Sequence, residues 1–266
     1  MAENSKIGWT DHTHNFWWGC EKVSTECNFC YIDGIMRRGG REPFNGPMRT
    51  KDWSKPLKWQ RQCEENGTRL RIFTCSMSDF FHDGADEWRD DAWEVIRECD
   101  RLNWLILTKR PQNISSRLPS DWGSGFPNVW MGTTCGAQSS LPRVELLTRV
   151  PAAIRFVSAE PLLDPVNFSQ HIHQLDWIIT GCEQAAKNKR RVMQTDWVRS
   201  IDQQCRKAGV AHFLKQYYQN NSGLPVTDGI LDGLVRQEFP TTQAISDIEF
   251  GTEVLAVADC RFFRKF

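Results

Sequence analysis

The sequence has no net charge to spend on a polyanion or a membrane: 33 lysines and arginines are matched by 33 aspartates and glutamates. No global field therefore draws the chain to nucleic acid, and any such binding has to come from local patches. Apolar runs are short. None approaches the roughly 18 residues that a membrane-spanning helix needs. The opening, Met1-Ala2-Glu3-Asn4-Ser5-Lys6, has no apolar export segment. On these absences a reducing cytoplasm is expected, where cysteines rarely pair as disulfides. No membrane partner is expected.

What is present is sulfur and indole. There are 10 cysteines and 12 tryptophans in 266 residues, enough chain to bury a large core. Most tryptophans are packing residues, with some available to stack on a base. Three cysteines crowd into one stretch, Gly19-Cys20-Glu21-Lys22-Val23-Ser24-Thr25-Glu26-Cys27-Asn28-Phe29-Cys30-Tyr31, with six residues between the first pair and two between the second. Thiolates this close point to zinc or an iron–sulfur cluster. A closed structural zinc site wants four ligands, whereas three thiolates on a cubane leave one iron open. His12, His14 or Cys75 could complete a zinc set, which would make the chain a zinc-stabilised nucleic-acid-binding module without redox chemistry. The plainer and preferred reading is that the same histidines are strand or loop residues satisfied by backbone.

After this stretch, strand-like and helix-like segments alternate. The apolar runs Leu70–Cys75, Trp104–Thr108, Asn128–Gly132, Ile154–Ser158, Asp176–Gly181 and Ala211–Lys215 are separated by helix candidates at Asp86–Asp100, Leu141–Arg149 and Thr195–Ala208. The last has Thr195 or Asp196 as a cap and Gly209 as its stop. Such alternation implies parallel strands with right-handed crossovers. With a first strand inside residues 5–19, it gives an α/β fold: a complete or partly open (β/α) TIM-like barrel of about six to seven strands. A doubly wound open sheet is the alternative. The barrel domain is expected to span 1–240, with a short extension at 241–266 in which Phe262-Phe263 could dock.

In either architecture the site lies past the carboxyl ends of the strands. There stand Cys75, Ser76, Ser78 and Asp79; Thr108, Lys109 and Arg110; Thr133, Thr134 and Cys135; Ser158 and Glu160; Thr180, Cys182 and Glu183; and Lys215 with Gln216. The basic run Lys187, Lys189, Arg190 and Arg191 follows one of these ends and is a candidate phosphate contact.

The pattern Cys27-Asn28-Phe29-Cys30, with an aromatic before the last cysteine, resembles the loop of the radical S-adenosylmethionine (radical SAM) superfamily. It is closest to a phage-borne branch with a C-x6-C-x2-C spacing. Further matches are Ser76-Met77-Ser78-Asp79, Leu107-Thr108-Lys109-Arg110-Pro111, Val157-Ser158-Ala159-Glu160-Pro161-Leu162-Leu163 and Phe213-Leu214-Lys215-Gln216. The resemblance implies that Cys20, Cys27 and Cys30 hold a [4Fe–4S] cluster whose fourth iron takes S-adenosyl-L-methionine. Reductive cleavage would then give a 5′-deoxyadenosyl radical that abstracts hydrogen from a substrate. Ser76, Ser78, Asp79, Thr108, Lys109, Ser158, Glu160 and Lys215 become cofactor-binding candidates: Lys109 or Lys215 for the methionine carboxylate, and Ser76, Ser78, Asp79, Ser158 and Glu160 for ribose hydroxyls. The superfamily's common Gly-Gly-Glu is replaced here by Cys75-Ser76-Met77-Ser78-Asp79. Cys135, Cys182 and Glu160 are the catalytic candidates, a thiol being able to return a hydrogen atom to a product radical. The branch further implies a nucleotide or DNA substrate, such as an amino-acid-decorated thymine to be rearranged or a lesion to be repaired. It also implies an external electron donor of flavodoxin or ferredoxin type, and the host cytoplasm for a phage-encoded chain.

Overall fold

The computed structural model describes residues 3–219 and 224–241. The 219–223 turn therefore lies largely outside the described residues, and the 241–266 extension, including Phe262-Phe263, almost wholly so. In chain order the elements begin with β1 (His12–His14), β2 (Trp17–Trp18), α1 (Ile32–Arg38), β3 (Met48–Arg49), α2 (Lys55–Asn66) and β4 (Leu70–Thr74). They continue with α3 (Asp86–Glu98), β5 (Leu102–Thr108), β6 (Val129–Thr134), α4 (Pro142–Thr148) and β7 (Ile154–Ala159), then β8 (Trp177–Gly181), α5 (Thr195–Ala208) and β9 (Ala211–Gln216). A small hairpin, β10 (Ile230–Leu231) and β11 (Leu234–Val235), follows. The strands fall where the apolar runs put them, to within two residues. Helix α5 departs in one detail: Gln194 occupies its cap position and no side chain caps the end, while Gly209 closes it in the left-handed conformation, φ 70°.

Seven strands form one parallel sheet in the order β1-β4-β5-β6-β7-β8-β9. The order never reverses, which sets this sheet apart from a doubly wound one. Right-handed crossovers then put every connection on one face. The other face is left to cover itself by curling, and the result is a half-barrel, open between β1 and β9. The free side of β9 is covered by the chain that follows, through Leu214 N–H to Arg236 C=O (2.6 Å) and Glu238 N–H to His212 C=O (3.0 Å). That cover blunts an edge otherwise open to foreign strands.

Period-two alternation sorts the side chains into two cores. On the convex face Ile72, Trp104, Ile106, Val129, Met131, Val157 and Ile178 pack under helices that present Trp59 and Cys63, Trp93 and Ile96, and Val198, Ile201 and Cys205. On the concave face Trp9, Phe73, Leu105, Trp130, Phe156, Trp177, Ile179 and Phe213 form a separate plug. Trp177 is its centre, with ring centroids of Trp9, Trp130, Phe156 and Phe213 at 6.2, 5.9, 5.8 and 6.0 Å. The plug needs room. Gly132 supplies it: a methyl group there would overlap the Phe156 ring that lies across it. Gly132→Ala is therefore expected to cost about 1–3 kcal/mol by overpacking, lowering the thermal midpoint by several degrees; an unchanged urea midpoint would show that the ring is free to move aside.

Candidate active site at the barrel mouth

Residues 19–31 lie across the carboxyl ends of the strands, anchored at both ends. Gly19 N–H donates to Met77 C=O (3.0 Å), Cys20 N–H to Pro43 C=O (2.8 Å), and the Tyr31 hydroxyl donates to Ser76 C=O. Gly19 takes φ 94°, and a side chain there would collide with the Gly46 carbonyl. Cys27 is buried, while Cys20 and Cys30 are half-buried.

The three thiols sit among cations. Arg110, 6 % exposed, points its guanidinium at Cys20 Sγ (3.8 Å), at Glu21 C=O (3.3 Å) and at Asp79 (3.5 Å). Burial pushes the Cys20 thiol up to about 11, reinforced by the Asp79 carboxylate and opposed by Arg110. Burial would also raise Cys27, but the Lys109 ammonium and the N–H groups of Val23 and Ser24 outweigh it and hold that thiol below the ordinary range. Cys30 stays raised by burial despite Lys109, and it feels the charge of Cys27. Among the described residues Lys109 has no ion-pair partner.

Strand ends supply the rest of the wall. Glu160 takes an ion pair from Lys215 and a 3.2 Å hydrogen bond from Gln216 Nε2, and its carboxylate lies over Gly181, where a Cβ would come within 3.1 Å of it. The Tyr31 hydroxyl is raised by burial and by the neighbouring charges of Cys30, Glu160 and Cys20, which puts Glu160 on the same side of the mouth as the thiols. Cys182 is buried beside Glu160 and Lys215, and its thiol is raised to about 12, chiefly by burial. Ser158 is buried on the concave face, paired in register with Thr134 and Ile179.

Other candidates have different surroundings. Asp79 is fully engaged: it accepts from Thr108 Oγ1 (2.6 Å), Lys109 N–H (2.8 Å) and Phe81 N–H (3.0 Å), tying the turn after β4 to the turn after β5. The Ser76 hydroxyl accepts from Asn15 (3.1 Å) and its carbonyl from Tyr31, while the Ser78 hydroxyl donates to Gly19 C=O, so both residues fasten the cysteine stretch. Cys135 and Cys75 belong to the convex-face core under the helices; Cys135 is raised to about 12 by burial and donates to Ala137 C=O (3.6 Å). In the basic run, Arg191 is taken up by Glu183 and by the Thr25 carbonyl (3.0 Å), and Arg190 lies over the Tyr218 ring at 3.4 Å. Lys187 and Lys189 are exposed. Two groups that the pattern alone did not single out are Arg110 as the partner of Cys20 and Glu26, whose burial no spacing rule foretells.

His12 and His14 do not meet the thiols. Both rings point to the convex face, His12 against Trp59 at 4.7 Å and His14 against Phe16 at 4.6 Å, so neither completes a zinc set with the cysteine loop. Among the described residues no three histidine, cysteine, aspartate or glutamate side chains stand at metal-ligating distances. The donor chemistry of the mouth nonetheless suits a thiolate-held cluster. Three thiols share one short stretch, cations lie beside them to favour the thiolate forms, and one thiol is already depressed.

The family profile described as "Protein of unknown function (DUF5131)" matches residues 4–240. No curated protein matches the sequence. Two solved structures are similar in outline at 14 % identity. "Spore photoproduct lyase C140S mutant" has a TM-score of 0.48, covering 81 % of this chain and 67 % of that one. "Spore photoproduct lyase complexed with dinucleoside spore photoproduct" has 0.44, covering 77 % and 64 %. No helix among the described residues is long and apolar enough to cross a membrane.

Acid sensitivity follows from His14. Burial depresses its pKa to about 3, far below the unfolded 6.5. The unfolded chain binds this proton first, so stability falls as pH drops from about 6.5 towards 3, with a slope approaching about 1.4 kcal/mol per pH unit. His14→Leu should remove that slope, read as a smaller loss of thermal midpoint between pH 7 and pH 5 than wild type shows; equal losses would contradict it. By the match of its profile over most of its length, the chain belongs to the DUF5131 family.

Proposed function

We propose that this chain is a radical S-adenosylmethionine enzyme that acts on a nucleobase or modified nucleotide. The observation that carries the reading is the placement of Cys20, Cys27 and Cys30 on one stretch across the mouth of an open parallel barrel, with Lys109 and Arg110 beside them. These cysteines would hold a [4Fe–4S] cluster. Bound there with S-adenosylmethionine, it would supply a carbon-centred radical able to take hydrogen from an unactivated carbon.

The chain's own residues have separable tasks. Lys109, without an ion-pair partner among the described residues, is suited to a carboxylate, whereas Lys215 is already committed to Glu160. Glu160, held by Lys215 and Gln216, presents an acceptor for ribose hydroxyls, with Ser158 on the strand below. Cys182 keeps its proton at neutral pH because burial raises it, and S–H is the form that carries a transferable hydrogen atom. Beneath them the aromatic plug keeps water from reaching the site from below.

The substrate class is supported by charge and rings around the mouth. Between Arg37 and Lys58 there are seven basic residues (Arg37, Arg38, Arg41, Arg49, Lys51, Lys55, Lys58) to two acidic ones (Glu42, Asp52), within a chain of zero net charge, although Arg37 pairs with Asp33 and Glu42 and Arg49 with Asp91. Arg41 lies over Trp18 at 4.7 Å, Arg49 over Trp53 at 4.2 Å and Lys22 over Phe44 at 4.7 Å. Cations interleaved with aromatic rings suit a phosphate backbone with unstacked bases. Rearrangement of an amino-acid-decorated thymine in phage DNA, or repair of a lesion, are the concrete reactions this fits, with an external one-electron donor of flavodoxin or ferredoxin type.

Anaerobically reconstituted protein should contain iron, absorb near about 400 nm as thiolate-held clusters do, and release 5′-deoxyadenosine from S-adenosylmethionine under strong reductant. Cys20→Ala, Cys27→Ala and Cys30→Ala should each abolish that release; a colourless, iron-free preparation, or full release from any of the variants, would sink the reading. Binding to single-stranded DNA should weaken steeply with salt, and a salt-indifferent affinity would point to a small metabolite.

A further inference from the structure

The segment between Cys20 and Cys27 is short, polar and at the surface, yet one of its side chains is entirely inside. Glu26 has no exposed side-chain area. Its carboxylate accepts from the Ser140 hydroxyl and from Arg143 Nη1 (3.2 Å), and the same Arg143 atom reaches Thr134 C=O (3.2 Å) at the end of β6. A second buried carboxylate, Glu183, 3 % exposed, sits at the end of β8. It receives Arg191 through the backbone N–H (2.8 Å), Nε (3.1 Å) and Nη2, and Nη2 goes on to Thr25 C=O (3.0 Å). Thr25 and Glu26 belong to the single 3-10 turn Thr25–Cys27. Two guanidinium–carboxylate pairs, rooted at two different strand ends, therefore close on one turn of three residues, and that turn carries a thiol.

Fold stability alone does not need this arrangement. The turn's own backbone contributes two bonds, Cys27 N–H to Ser24 C=O (3.0 Å) and Asn28 N–H to Thr25 C=O (3.2 Å), and the desolvation of a buried ion pair can exceed its attraction. What the two pairs do fix is the height and direction of Cys27 relative to the sheet. We propose that Glu26–Arg143 and Glu183–Arg191 are positioning pairs that clamp the Thr25–Cys27 turn, holding Cys27 in place for ligation while Cys20 and Cys30 are held by other anchors. The metal part of this rests on the reading of Cys27 as a cluster ligand; the clamp itself does not.

Two measurements separate the parts. In metal-free protein, iodoacetamide labelling followed by peptide mass analysis reports how often each thiol opens to solvent. With Glu26→Gln, and independently with Arg191→Lys, the labelling rate of Cys27 should rise by about tenfold or more, as a local opening does, while Cys99 and Cys205 in the convex-face core keep their rates. An unchanged Cys27 rate, or an equal rise at Cys99 and Cys205, which signals global loosening, overturns the clamp. In the second arm ferrous iron and sulfide are offered anaerobically to the same variants. A drop in bound iron to half or less, with the thermal midpoint within a few degrees of wild type, extends the clamp to ligation. Faster Cys27 labelling with full iron binding would keep the clamp and refute its part in ligation.

Discussion

Everything at the mouth depends on how the concave face of the sheet is filled beneath it. Seven parallel strands in unbroken order leave that face without helices, so it is covered by its own side chains or it takes up water. Trp177 settles the matter, being wholly buried and in contact with Trp9, Trp130, Phe156, Phe213 and Phe239. Each such ring buries some 150–250 Å² and adds edge-to-face attraction to its apolar burial. The lower half of the half-barrel is thus solid, and the upper half is left to polar strand ends.

Above the plug the chemistry is set by charges that compensate each other locally. Asp79 ties the turns after β4 and β5 together through the Thr108 hydroxyl and the Lys109 amide, and this delivers Lys109 and Arg110 to the cysteine stretch. Cys20 and Cys27 respond in opposite directions because burial, helped by the Asp79 carboxylate, dominates at Cys20 over Arg110, whereas at Cys27 the Lys109 ammonium and the hydrogen bonds from Val23 and Ser24 outweigh burial. A chain without net charge can still hold cations beside the thiols, since the balance of 33 against 33 is struck over the whole molecule and not at each site.

Much of this was legible beforehand, for a simple reason. Buried parallel strands are apolar on both faces, so Trp104–Thr108 or Trp177–Gly181 stand out as uninterrupted runs, and the polar residue that follows marks the strand end. The rule that sites lie at carboxyl ends then brought Lys109, Glu160, Cys182 and Lys215 onto one side. Asp79, Ser76 and Ser78 lie at those ends too, but their bonds to Thr108, Asn15 and Gly19 make them fasteners of the loops. Cys135 is at a strand end as well and turns to the helices with Val129 and Met131, as period-two alternation requires, whereas Cys75 does so against the alternation that puts Phe73 on the concave face, its φ of 55° breaking the strand there. The histidines went the same way: His12 and His14 share a face by that alternation, and it is the one covered by Trp59.

The order of the amino acids determined the repeat of strand and helix, the apolar filling and the clustering of three thiols within eleven residues, because each of these is a local property of spacing. Only the tertiary structure decided that the sheet stays open between β1 and β9, that Arg110 meets Cys20 across 90 positions of chain, and that Glu26 is drawn inside to Arg143, 117 positions away. Contacts of that separation depend on where the ends of different strands come to lie, and the curl of the sheet fixes that.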